Sequence, residues 1–319
     1  MLASQLYRRA AVAITVGTIS AALTWTQRPR DVHSDLDQVW YSSRALLKGQ
    51  NPYAVGDSLY RSGWEYPLIY PGTAVVVAIP LAPLSVRVAQ AMWNGIGAAG
   101  LAWVLTSMGW WGLLSLGGAP FLQAYSFVQW SPMLVAGLAA PWCGFIWVAK
   151  PTIGAALFAG WPSRGALITG AVLVVLSFLL IPGWPLQMTA GLKAAPHIMP
   201  LIFRPGGFLL LLALLKWRRP EARMLAALAV VPQTTAPYEM LPLFLIPRTG
   251  REMAWLTLLS QAAYLLVLIF RTGVSNRHLE PTIVSQWPIW LAMIYLPSLA
   301  MVLRRPNLHH GTAVPQAQA

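Results

Sequence analysis

The chain has 319 residues, of which 57% are hydrophobic and 10% are charged, and its mean hydropathy is +0.57. Soluble domains carry about 25% charged residues, so this chain has too little polar surface for a soluble globular protein. The net charge of +13 is spread between apolar runs without a long basic block, which favours anionic lipid headgroups over nucleic acid as partners. With one cysteine, no intrachain disulfide can form. The composition predicts a membrane protein.

The first predicted element is a transmembrane helix over residues 10–26, which follows Arg8 and Arg9. Many further apolar runs come after it, so we interpret it as a retained first span and not as a cleaved signal peptide. The positive-inside rule then places the N-terminus in the cytoplasm and residues 27–66 outside, as the first extracytoplasmic loop.

The later apolar runs alternate with Lys and Arg clusters, most of which fall on the predicted cytoplasmic side. Counting these runs gives about 10–12 spans, several of them shorter than the about 20 residues that a helix needs to cross the hydrocarbon core. We therefore expect an all-α, multi-pass transmembrane helical bundle in the plasma (inner) membrane. It forms a single domain over residues 1–305 with both termini cytoplasmic, and residues 306–319 are expected to be a disordered tail.

The first outer loop contains HSDLDQVWYSSRALLKGQNPY at residues 33–53. Apolar residues recur at helical spacing from Leu36 onward, which predicts an amphipathic helix on the outer leaflet. Ser34 followed by Asp37 matches a capping-box pattern, so one interpretation gives Asp35 and Asp37 only the task of starting this helix. Gly49 before Asn-Pro-Tyr predicts a helix C-cap and a turn.

Four segments share an order and spacing that is typical of one enzyme family. They are SDLDQVWYSSRALLKGQNPY, YPLIYPGTAVVVAIPLAPLS, WVAKPTIGAALFAG and TTAPYEMLPLFLIP. Over about residues 30–250 the chain resembles the polyprenol-phosphate-sugar-dependent mannosyltransferases of glycosyltransferase family 87, which have the GT-C fold. The most specific element is Asp35 followed by Gly49, Pro52 and Tyr53.

The resemblance also includes the Lys150-Pro151 pair and has two departures. This chain reads Val128-Gln129 where such proteins often have Gly-Gln, and Tyr238 where many have His.

The resemblance implies an inverting membrane glycosyltransferase. It would move a hexose, with mannose as the expected sugar, from a polyprenyl-phosphate donor to a lipid or glycan acceptor on the outer face. Asp35 stands at the family's catalytic position and would be the general base. The chemistry needs such a carboxylate to accept the proton of the attacking hydroxyl, and cationic groups to stabilise the leaving phosphate. This scheme requires neither a metal ion nor a cofactor, and the sequence has no Walker, zincin or metal-spaced His/Cys pattern.

The predicted topology collects further polar side chains on the outer side. Lys150, His197 and Arg204 are candidates for holding the donor phosphate, each with the alternative of an ordinary contact to lipid headgroups at a helix end. Trp64 is a candidate for stacking on an acceptor sugar, with the alternative of an interfacial aromatic belt. The expected substrate-binding residues are Asp37, Tyr53, Trp64, Glu65, Lys150, His197, Arg204, Tyr238 and Glu239.

Two other classes of protein stay open from the sequence. One is a non-catalytic GT-C-like membrane protein or lipid carrier in envelope assembly. The other is a secondary transporter, which predicts inverted repeats and charges near the bilayer midplane. No repeat is evident in the sequence, and the charged residues lie at the ends of the apolar runs.

Overall fold

The computed structural model describes residues 2–27, 33–61, 67–193, 199–234, 236–270 and 286–308. Contacts divide the chain into two compact units. Unit 1 comprises residues Met1–Trp103, Tyr125–Gly154 and Ser163–Pro196, and unit 2 comprises Val104–Ala124, Ala155–Pro162 and His197–Ala319.

The regular structure is almost wholly helical, which confirms the all-α prediction. The α-helices are α1 (Leu2–Gln27), α2 (Asp35–Leu47), α3 (Pro52–Arg61), α4 (Gly72–Ala78), α5 (Val86–Met108), α6 (Ala119–Ser126), α7 (Ser131–Ala136), α8 (Pro151–Gly160), α9 (Arg164–Leu180), α10 (Trp184–Leu192), α11 (Pro220–Val230), α12 (Gly250–Phe270) and α13 (Trp287–Leu303). The 3₁₀ helices are Ile79–Leu81, Trp110–Gly117, Gly137–Ala139, Pro141–Val148, Leu201–Phe203, Gly207–Lys216 and Pro237–Leu245. Two-residue strands β1 (Met199–Pro200) and β2 (Pro232–Gln233) pair antiparallel.

Two described helices are long and apolar enough to cross a membrane, Ala3–Gln27 and Gly250–Phe270. The number rises to four if each of two bent pairs is one span: α4 with α5 is bent by 105°, and α9 with α10 by 93°. Side chains of α9 such as Leu167, Val172 and Leu179 are apolar and exposed, as expected in lipid. These features identify a membrane protein, whereas the count of 10–12 spans and the single domain stay predictions.

Small residues bring α1 and α5 into close contact in unit 1. A Cβ on Gly17 would lie 2.7 Å from the carbonyl oxygen of Gly95, and one on Gly95 would lie 3.0 Å from the Cβ of Ala21. Glycine and alanine four residues apart let two helix backbones approach, which is how many transmembrane helices associate. A larger side chain at either glycine would force the pair apart.

Local sequence fixes both ends of α2, the helix of the first predicted outer loop. Ser34 is its N-cap, and Gly49 ends it at φ +70°. The Gly49 N–H bonds the Leu46 oxygen (3.0 Å) and the Gln50 N–H bonds the Ala45 oxygen (2.9 Å), which is the Schellman pattern. Both capping predictions are confirmed.

The helix α2 is buried more completely than an amphipathic surface helix. Leu36 and Val39 are buried as the spacing predicts, but the polar residues Gln38, Ser42 and Ser43 are buried too. Ser43 donates to the Val75 oxygen of α4 at 2.7 Å. Contacts with α3 and α4 therefore hold α2 inside unit 1, and they position its first residues for the site described below.

In unit 2 a set of charged side chains, here called the Glu221 cluster, joins the ends of several helices. It consists of Glu221, Arg219, Arg248, Arg305 and Glu252. The Glu221 carboxylate, 0% exposed, lies 3.2 Å from Arg219 and 3.3 Å from both Arg248 and Arg305. Arg305 also pairs with Glu252 at 2.9 Å. The cluster thus ties the starts of α11 and α12 to the end of α13.

Candidate functional site

Asp35 is the first residue of α2, and a neighbouring loop fixes its backbone. Its N–H donates to the Phe127 carbonyl oxygen at 3.2 Å. This bond brings the start of α2 against residues 127–130, the loop that precedes α7. The Asp35 side chain is half-buried, so the carboxylate is held by the protein without being sealed from its surroundings.

Two neutral groups donate to the Asp35 carboxylate. The Tyr70 hydroxyl lies 3.2 Å from Oδ2, and the Gln129 side-chain amide donates to the same oxygen. Both donors are themselves buried. They fix the orientation of the carboxylate.

Lys150 contacts the Gln129 side chain from the turn between the 3₁₀ helix Pro141–Val148 and α8. Its Nζ lies 3.5 Å from Oε1 of Gln129. An ammonium can only donate and a carboxylate can only accept, so the Gln129 amide has one orientation that satisfies both neighbours. Asp35, Tyr70, Gln129 and Lys150 are called the Asp35 cluster below.

Aromatic side chains hold the two donors in place. The Tyr53 hydroxyl donates to the Tyr70 carbonyl oxygen at 2.8 Å, and burial raises the pKa of Tyr53, which keeps this donor protonated. Trp93 donates from its ring nitrogen to the Gln129 carbonyl oxygen at 3.2 Å. The Trp130 ring packs between Trp93 (4.7 Å) and Tyr70 (5.8 Å). Backbone and side chains of the cluster are therefore both anchored.

Val128 has an unusual backbone conformation within this loop. Its φ is +51°, in the left-handed region that bulky β-branched residues rarely adopt. It stands between Phe127, which binds the Asp35 N–H, and Gln129, which binds the carboxylate. Strain of this kind persists where the surroundings enforce it, often at functional sites.

Asp37 has a different environment from Asp35. Its Oδ2 accepts the Ser34 N–H at 2.8 Å, and its Oδ1 accepts from the Ser34 hydroxyl (2.6 Å) and from Gln90 (2.7 Å). The side chain is buried. These contacts favour the helix-start interpretation of Asp37 over contact with substrate.

Three predicted site residues lie in unit 2, where they are buried. Glu239 accepts the Thr234 N–H at 2.7 Å, and Tyr238 donates its N–H to Gln123 at 3.2 Å. Burial lowers the pKa of the Arg204 guanidinium, while Tyr295 and Glu239 oppose that shift. The surroundings of Arg204 are thus partly anionic.

Trp64, Glu65 and His197 lie outside the described residues, as do residues 309–319 of the predicted tail. Within the described ranges no group of three or more His, Cys, Asp or Glu side chains has the arrangement of a metal site.

Tyr70 and Gln129 were not among the predicted site residues. The sequence signal for Gln129 is an amide inside the apolar stretch FVQWSPMLV, since a polar side chain in such a run needs a partner. Tyr70 gives no comparable signal, because tyrosine next to proline is common at membrane interfaces.

The fold and this site define an all-α membrane protein with a half-buried carboxylate between amide, phenol and ammonium groups. Comparisons with protein-family models, with curated proteins and with solved structures find no match.

Proposed function

We propose that the protein is a GT-C-type membrane glycosyltransferase of the plasma (inner) membrane, multi-pass and with cytoplasmic termini. It transfers a hexose, with mannose as the expected sugar, from a polyprenyl-phosphate donor to a lipid or glycan acceptor on the outer face. The observation that carries this proposal is the Asp35 cluster, because it combines a half-buried carboxylate, oriented by Tyr70 and Gln129, with an ammonium group nearby. These are the groups that proton acceptance and phosphate departure require.

In the proposed reaction the acceptor hydroxyl attacks the anomeric carbon of the donor sugar. Asp35 takes the hydroxyl proton as the new glycosidic bond forms. The bond from the anomeric carbon to the phosphate oxygen breaks, and the polyprenyl phosphate leaves with the electron pair. Attack opposite the leaving group inverts the anomeric configuration.

Lys150 has two roles that are compatible with its position. It is half-buried and close to Gln129, so it orients the amide that binds Asp35. An ammonium is also a suitable contact for the leaving phosphate. A Lys150→Met variant separates them: loss of donor affinity assigns the phosphate role, and a slower turnover at unchanged donor affinity assigns the orienting role.

The test of the function is transfer of radiolabelled sugar from polyprenyl-phosphate mannose by the purified protein. Asp35→Asn keeps the size of the side chain but cannot take a proton, so transfer should fall by about 100-fold to 10,000-fold. Folding should be retained, because Ser34 and not Asp35 caps the helix. Asp37→Asn is the matched control, with substantial activity expected per folded molecule.

The opposite pattern, with activity retained in Asp35→Asn and lost in Asp37→Asn, would reverse the assignment of the two aspartates. Full activity in both variants would exclude the mechanism. A wild-type protein that binds the donor without transferring sugar would favour the lipid-carrier alternative.

A further inference from the structure

Unit 2 contains a group of charged side chains with more positive than negative charge. It extends the Glu221 cluster by two arginines next to it in the chain. Its cations are Arg218, Arg219, Arg223, Arg248 and Arg305, and its anions are Glu221 and Glu252. In the described part of the chain the group therefore has an excess of three positive charges. At a membrane surface such an excess attracts anionic lipid.

The arginines of this group differ in how their donors are used. Arg219 and Arg305 are paired with Glu221. Arg223 donates to the carbonyl oxygens of Ala159 (2.8 Å) and Gly160 (2.7 Å), at the end of α8. These three cations serve the structure of unit 2.

Arg218 has donor capacity left over. Its Nη1 lies 3.3 Å from the Leu308 carbonyl oxygen. Its Nε is buried and has no hydrogen-bond partner among the described residues. Arg218 also makes no ion pair with a carboxylate among the described residues, so its positive charge can attract an anionic group. The Arg218 guanidinium also lies 5.8 Å from the ring of Trp217, which is 54% exposed.

An apolar groove lies directly before Arg218 in the chain. It runs along the 3₁₀ helix Gly207–Lys216 and is lined by Phe208, Leu209, Leu211, Leu212, Leu214 and Leu215. Phe208 is 61% exposed and Leu215 is 67% exposed. The groove runs from Phe208 to Leu215, which is roughly 16 Å at about 2 Å per residue of 3₁₀ helix, compared with about 15 Å for half of the hydrocarbon core. The groove is thus long enough for an acyl chain of one leaflet.

We propose that an anionic phospholipid binds here, with an acyl chain in the groove and its phosphate at Arg218 beside Trp217. The groove selects for a lipid chain, and the Arg218 charge selects for a phosphate. The excess positive charge disfavours zwitterionic headgroups, whose own cation it repels. This site is independent of the proposed transferase function.

The experiment is native mass spectrometry of the full chain, delipidated in detergent and titrated with phosphatidylglycerol or phosphatidylcholine. Phosphatidylglycerol should give a saturable adduct at lower concentration than phosphatidylcholine. Arg218→Gln should weaken phosphatidylglycerol binding by about fivefold, from about 1 kcal/mol per basic residue near a lipid surface. Arg164→Gln is the matched control, since Arg164 is an exposed cation at the start of α9 in unit 1. The affinity of this variant for phosphatidylglycerol should equal that of the wild type.

Two further arms keep the result unambiguous. Arg218→Lys keeps the charge and should bind phosphatidylglycerol with an affinity between those of wild type and Arg218→Gln. Both variants should keep the thermal unfolding midpoint of the wild type, which shows that weaker binding is not caused by misfolding. Glycerol phosphate tests whether a free phosphate is the ligand. Equal binding of glycerol phosphate and phosphatidylglycerol, equal adducts for both lipids, or an unchanged affinity in Arg218→Gln would each overturn the proposal.

Discussion

The two units each build a polar cluster around one carboxylate, and the clusters differ in the groups that face the acid. In unit 1, Asp35 is half-buried and accepts from Tyr70 and Gln129, two neutral donors. In unit 2, Glu221 is fully buried and faces three guanidinium groups.

The difference is consistent with a structural role for Glu221 and with the proposed role of Asp35. Burial alone raises the pKa of Glu221, but Arg248, the backbone at Glu221, Arg219 and Arg305 lower it more, so the net pKa lies below its ordinary value. Protonation of Glu221 would abolish all three ion pairs. Glu221 therefore holds helix ends together, whereas Asp35 is the acid that the proposed reaction uses.

Replacement of Glu221 should therefore have the largest effect on stability. Glu221→Gln leaves three arginines without their shared anion, and breaking a buried ion pair from one side costs about 3–5 kcal/mol. The free energy of unfolding can be measured by chemical denaturation in mixed micelles. Glu252→Gln is the control, because Glu252 is 32% exposed and pairs with Arg305 alone among the described ion pairs. A loss as small as that of the control would show that the Glu221 pairs do not hold the helix ends.

Acid should reproduce the Glu221 effect in the wild type. Because the folded pKa of Glu221 is lowered from 4.5, its contribution to stability is fully present above that value and is lost as pH falls through the folded pKa. Unfolding midpoints from pH 7 to pH 3 should fall more steeply for wild type than for Glu221→Gln. Parallel curves would contradict the lowered pKa.

A smaller effect on stability, together with an effect on turnover, is expected at Gln129. Gln129→Leu has similar volume and removes the amide that donates to Asp35. A hydrogen bond to a charged group contributes about 1.5–3 kcal/mol, so turnover should fall roughly tenfold to 100-fold. Stability should fall by no more than the same amount, because Leu suits this buried position. Sugar transfer and thermal unfolding of the same preparation check both parts, and unchanged turnover would remove Gln129 from the site.

The sequence allowed prediction of features that depend on neighbouring residues. Ser34 with Asp37 and the glycine at position 49 define the ends of α2 through bonds within a few residues. The contact of Asp35 with Gln129 spans 94 positions, and a single sequence contains no information on which distant amide meets which carboxylate. The extent of burial of α2 was missed for a similar reason. The buried Ser43 bonds the α4 backbone at Val75, 32 positions away in the chain.

The smallest expected effect concerns the backbone that presents Gln129 to Asp35. Left-handed strain at Val128 costs of order 1–3 kcal/mol, and glycine adopts that conformation freely. In a helix, by contrast, glycine is about 1 kcal/mol less stable than alanine.

Val75 in α4 is buried like Val128, so Gly should destabilise the protein more than Ala at position 75. At position 128 Gly should destabilise no more than Ala, because relief of strain offsets the loss of the methyl group. The free energies of unfolding of Val75→Gly, Val75→Ala, Val128→Gly and Val128→Ala give the Gly-to-Ala difference at each position. The same Gly-to-Ala difference at both positions would mean that φ at Val128 stores no strain, and that the Asp35 cluster is held by its side-chain contacts alone.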